Sequence, residues 1–111
     1  MREATQISSE TATIATGQTK TGNIATCNKL IGLIVPSTWN GTNLTFEAAT
    51  SAGGTYYPVR QPDDIGDLVT IAATASTYIP FNVTEMFAFQ YFRLVSDTVA
   101  ASNIVFTLIY K

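Results

Sequence analysis

The residues that could do chemistry are few. The chain has no histidine, which removes the commonest general base and the commonest transition-metal ligand. Cys27 is its only cysteine, so neither a thiol–imidazole pair nor a zinc site can be assembled, and an internal disulfide is ruled out. The serines have no base near them in sequence. Acidic residues gather at Asp63-Asp64-Ile65-Gly66-Asp67. Oxygen ligands on a glycine-containing turn suit calcium, but the spacing departs from the EF-hand pattern, and a solvated turn after Pro62 is the expected reading. No catalytic residues, cofactor or metal are therefore expected, and the chain is expected to work by binding and not as an enzyme.

Aromatic residues in loops or at the ends of strand-like runs are the remaining candidates. Trp39 lies in the polar stretch Ser37-Thr38-Trp39-Asn40-Gly41-Thr42-Asn43, and Tyr56 and Tyr57 follow Gly53-Gly54. Tyr110 closes the last apolar run. Trp39, Tyr56, Tyr57 and Tyr110 are the candidate protein-interface residues, since desolvated aromatic anchors carry much of the energy of an interface. For Trp39 the competing reading is a lid folded back on the end of the domain, because tryptophan is usually well buried.

The elements that must position these side chains are short strands. From Thr11 onward, β-rich runs alternate with turn residues about every ten positions, the rhythm of a sandwich or barrel. The expected strands are Thr11–Thr16, Ile24–Asn28, Leu30–Val35, Leu44–Ala49, Tyr56–Arg60, Leu68–Ala72, Tyr78–Val83, Ala88–Val95 and Ile104–Tyr110. Alternation places Leu44, Phe46 and Ala48 on one face with Thr45 and Glu47 on the other. Ile79, Phe81 and Val83 repeat it, and Pro80, which lacks a ladder donor, predicts an edge strand. Gly53-Gly54 suggests a tight, positive-φ hairpin between Leu44–Ala49 and Tyr56–Arg60. Thr84-Glu85-Met86-Phe87 could form one helical turn capped by Thr84. The fold class expected is all-β: an antiparallel two-sheet β-sandwich, with a jelly roll as its topology.

Composition agrees with a binding module. The 111 residues, 46% of them hydrophobic, suffice for one domain and one core. Only 13% are charged, about half the usual share. Threonine fills much of the gap; it favours strands and keeps an outer face wet without charge. Such a surface is easily desolvated against a partner. Net charge is −2 and the six cations are scattered, so no basic patch for nucleic acid is expected. The longest apolar runs, Leu30–Val35 and Ile104–Tyr110, are too short to span a bilayer as helices. The polar start, Met1–Glu10, reads as a flexible arm preceding a single domain over 11–111, and its lack of an apolar signal core predicts synthesis and first folding in a cytoplasm. Three Asn-x-Thr sequons are expected by chance in a chain this rich in threonine. The final run, Ile104-Val105-Phe106-Thr107-Leu108-Ile109-Tyr110, is apolar on both faces, which predicts cover within the fold, contact with a second chain, or a strand that tolerates one exposed Val or Ile.

Most of the chain resembles a known family. The stretches are Gly32-Leu33-Ile34-Val35-Pro36-Ser37-Thr38-Trp39, then Leu44-Thr45-Phe46-Glu47-Ala48, Ser51-Ala52-Gly53-Gly54-Thr55-Tyr56-Tyr57-Pro58-Val59 and Tyr91-Phe92-Arg93-Leu94-Val95-Ser96, with Thr11–Thr19 fitting the same pattern. In these the chain is similar to the small capsid decoration (cement, or staple) proteins of tailed phages, of the epsilon-fifteen podophage type. The resemblance implies a jelly-roll-like fold, oligomerisation (a homodimer first) and attachment to the major capsid protein on the virion exterior, with no nucleic-acid or membrane partner. Leu44–Val59 and Tyr91–Ser96 also resemble discoidin-like and carbohydrate-binding jelly rolls, which leaves a host-recognition module as the alternative. Trp39 with Asn40 and Asn43, or Tyr56 with Tyr57, would be its sugar platform.

Overall fold

A computed structural model of the chain describes residues 8–25, 30–60, 68–80 and 91–110. Among these residues the secondary structure is all strand: β1 (Ser8–Ile14), β2 (Ile24–Ala25), β3 (Leu30–Val35), β4 (Asn43–Ala49), β5 (Tyr57–Pro58), β6 (Ile71–Ala72), β7 (Thr77–Pro80), β8 (Tyr91–Ser96) and β9 (Ile104–Tyr110). They form two antiparallel sheets packed as a β-sandwich. The first has the order β1-β9-β3-β7; the second has β2-β8-β4-β5, with β6 also paired to β4.

The core follows from period-two alternation in the strands that cross the middle. Ile104, Phe106, Leu108 and Tyr110 of β9 point inward, beside Leu30, Leu33 and Val35 of β3 and Ala12 and Ile14 of β1. Leu44 and Phe46 of β4, Phe92 and Leu94 of β8, and Ile24 of β2 meet them from the other sheet. The Phe46 and Phe92 rings pack tilted, with centroids 6.4 Å apart. Two buried hydroxyls are satisfied locally. Thr21 Oγ1 accepts from the Leu94 amide at 3.0 Å and donates to the Gly22 carbonyl; Ser96 Oγ accepts from the Thr98 amide and donates to its carbonyl.

Several expectations change in the folded chain. β1 begins at Ser8, and Ser8, Ser9 and Glu10 pair with Tyr110, Ile109 and Leu108. The expected arm, Met1–Glu10, thus gives up its last three residues to the sheet, because the long partner strand β9 offers ladder groups that far. Met1–Ile7 lie outside the described residues, as do the acidic turn Asp63–Asp67, the Thr84–Phe87 turn and Cys27. β4 and β5 do form a hairpin, pairing Glu47 with Pro58 and Ala48 with Tyr57. Its connection is wide, closed by the Gly54 amide on the Ser51 carbonyl at 3.1 Å, and neither Gly53 nor Gly54 has positive φ. Among the described glycines the one that does is Gly17, at φ 82°, where the chain turns after β1 and its amide bonds the Ala100 carbonyl. Pro80 does sit in an edge strand, β7.

Candidate interaction surface

The four aromatic candidates do not converge. Trp39 is only 6% exposed. Its indole Nε1 donates to the Ala73 carbonyl at 2.9 Å, and its ring meets Phe106 edge-on at 5.7 Å. The loop sequence explains this. The Trp39 amide bonds the Pro36 carbonyl, turning the chain back on itself. Gly41 lies so close under the ring that an added Cβ would come within 2.7 Å of it. Trp39 is therefore the lid of the sandwich, and its place among interface anchors is corrected. Neighbouring polar residues tie that loop to the one following β8. Asn40 Nδ2 donates to the Val99 carbonyl at 3.0 Å, and the Thr42 amide donates to Asp97 Oδ1 at 3.0 Å.

Tyr110 is corrected in the same way. It is 5% exposed, with its hydroxyl donating to Glu10 Oε1 at 3.2 Å, at the end of the first sheet opposite Trp39. Tyr56 is half-buried beneath the Arg93 guanidinium, which sits 4.2 Å above its ring, and its hydroxyl is buried without a partner. Tyr57 alone of the four is largely exposed, at 66%. Of the platforms expected for a sugar, Trp39 is closed off and Tyr57 stands on an edge strand.

The outer faces of the two sheets differ in character. On the second, cross-strand partners Glu47 and Arg93 form an ion pair at 2.7 Å, and Lys20 reaches the same carboxylate at 3.0 Å. Burial pushes the Glu47 carboxyl up, but hydrogen bonds from Arg93 and Lys20 and their charges outweigh it, holding the group below the usual carboxylate range. This face is a neutralised polar network.

Among the described residues, the outer face of the first sheet is uncharged. Register aligns Thr13 with Val105, then Thr11 with Thr107, Ile34 and Tyr78, then Ser9 with Ile109, Gly32 and Pro80. Ile34, Tyr78 and Val105 are 42%, 53% and 43% exposed. Gly32 is needed because the Tyr78 ring lies flat across it; a Cβ there would be 2.6–2.7 Å from ring carbons. The face thus offers apolar side chains framed by threonine and serine hydroxyls, with no ion to desolvate. Four strands at ~4.8 Å spacing and seven residues at ~3.4 Å rise give it at most on the order of 450 Å².

Reading for loop aromatics overlooked Ile34, Tyr78 and Gly32. The available signal was apolarity on both faces, noticed in Ile104–Tyr110 but equally present in its neighbour Leu30–Val35. Two such strands side by side must leave an apolar outer surface. Compared with protein-family models, with curated proteins and with solved structures, the chain finds no match.

Proposed function

We propose that the chain is a capsid decoration protein that docks on the outside of a phage shell of major capsid protein and stabilises it against the pressure of packed DNA. The observation that carries this reading is the uncharged outer face of the first sheet. A face of this kind sheds water at little cost and needs no matching charge on its partner. Its area is below the ~800 Å² that each side of a standard interface buries, so one copy would hold weakly. A lattice of copies, each bridging neighbouring subunits, restores strength through avidity. The interleaved strand order β1-β9-β3-β7 over β2-β8-β4-β5 supports the jelly-roll topology, in which paired Greek keys wind two four-stranded sheets together.

The test is co-sedimentation with purified capsids that lack this protein. The wild-type chain should pellet with the shells and stay bound at a few hundred millimolar salt, where screening removes exposed ion pairs. Val105→Lys, on the uncharged face, should release it while the thermal melt is preserved. Thr45→Lys, on the outer face of the other sheet, should not. Attachment lost with Thr45→Lys and kept with Val105→Lys would place the contact on the ionic face. Absence of any pelleting, with a saturable fluorescence response to host polysaccharide, would favour the carbohydrate-binding alternative.

A further inference from the structure

We propose that β1 pairs edge to edge with β1 of a second copy, antiparallel, about a two-fold axis at Thr11. Exposed edge strands invite pairing unless they are short, interrupted by proline, bulged or charged. Three of the four sheet edges carry such protection. β2 and β5 are two residues long, β5 contains Pro58, and β7 contains Pro80. β1 is different: seven residues, no proline, no register shift against β9, and Glu10 as its only charge. Ile14 is closed off by its bridge to Thr21. From Ser8 to Thr13 the outer edge has no strand partner among the described residues, and a cleft of about 430 Å³ opens beside it toward Gly22–Ala25.

The occupant follows from register. Across a two-fold axis normal to the sheet, opposed residues must point to the same face, so an inward residue meets an inward one. An axis at Glu10 would set the two carboxylates directly opposite and is disfavoured. An axis at Ala12 would set Glu10 against Ile14, whose edge is taken, and leave only Thr11–Thr13 to pair, whereas an axis at Thr11 loses only the terminal Ser8–Ile14 pair. With the axis at Thr11, Glu10 meets Ala12 and Ser9 meets Thr13, and the two Glu10 side chains fall on a diagonal. The outward row, Ser9, Thr11 and Thr13, is uncharged and continues the uncharged face. Pairing doubles that face to ~900 Å², which reaches the standard interface size. The pairing is a property of the free chain and stands whether or not the partner of the face is a shell.

The test uses the full chain with Cys27→Ser. In either type of antiparallel pair the two residues on the axis have Cα atoms ~4.5–5.5 Å apart, within disulfide range. Thr11→Cys should therefore give mainly covalent dimer on mild oxidation. Thr13→Cys, equally outward on the same strand but opposed to Ser9 of the other copy, should remain mainly uncrosslinked. In the otherwise unaltered chain, sedimentation at high micromolar concentration should give twice the chain mass, and Thr11→Lys should return it to one chain with the melt unchanged. A single-chain mass for the unaltered protein would overturn the proposal. So would equal crosslinking at both positions, or a doubled mass that survives Thr11→Lys, since either would place the contact on another surface.

Discussion

Trp39 shows what one side chain does in this fold. It caps the core, touches Phe106 and donates a hydrogen bond to the Ala73 carbonyl. Trp39→Ala should therefore cost about 3–5 kcal/mol of stability, the range for deleting a large buried aromatic. Urea unfolding measures this, and a loss below 1 kcal/mol would mean the lid is not seated as described. On the proposed function, capsid attachment by whatever fraction stays folded should be unaffected. The tryptophan was visible in the sequence as an ambiguous residue, either lid or anchor. What decided it was Gly41, whose missing side chain makes room for the ring, and sequence spacing alone does not reveal which neighbour a glycine accommodates. Tyr110 was ambiguous for a related reason. A terminal tyrosine in an apolar run can point to either side, and here its partner Glu10 lies at the far end of the chain.

At the scale of elements, the strands that cross the core were the most legible. Leu30–Val35 and Ile104–Tyr110 form over the expected residues because β-branched and aromatic side chains fill both of their faces. Shorter edge strands were harder. Tyr57–Pro58 and Ile71–Ala72 pair over two residues each, since proline and turn geometry limit the ladder where propensity alone predicts longer runs. The start of β1 was misjudged because Ser8, Ser9 and Glu10 have little strand propensity and are held by β9. This gives a direct comparison. Removing residues 1–10 deletes three β1–β9 pairs and should lower Tm by several degrees more than removing residues 1–7. Equal melting temperatures for the two truncations would mean that the first turn of the ladder contributes nothing.

For the whole molecule, charge acts mainly on stability. Glu47 and Asp97 are both held below the ordinary carboxylate range. For Asp97 the main cause is the Thr42 amide, whose hydrogen bond outweighs desolvation and is joined by smaller contributions from the Asn43 amide and the Thr98 hydroxyl. For Glu47, desolvation is the largest single influence, but Arg93 and Lys20 together overcome it. A depressed folded-state pKa means that the unfolded chain binds protons first as pH falls. The stability these groups supply is present above pH ~4 and is lost as pH drops through their folded values. Thermal melts should thus be flat from pH 5 to 7, on the order of the neutral value, and fall below pH ~4; Glu47→Gln should flatten part of that fall. Asp97 is exposed, and Glu47, only 15% exposed, pairs with a Lys20 side chain that is 44% exposed, so the effect is a modest slope and not a collapse. A different consequence comes from the pairing of the first strand with the last. Among the described residues, β9 is the only strand paired with β1, and it supplies Ile104, Phe106 and Leu108 to the core. During synthesis β1 must therefore wait for β9 to leave the ribosome before it can be covered. Its ladder groups stay open on both sides for that interval, and closure joins strands far apart in sequence, which makes that folding step slow and leaves it open to competing association.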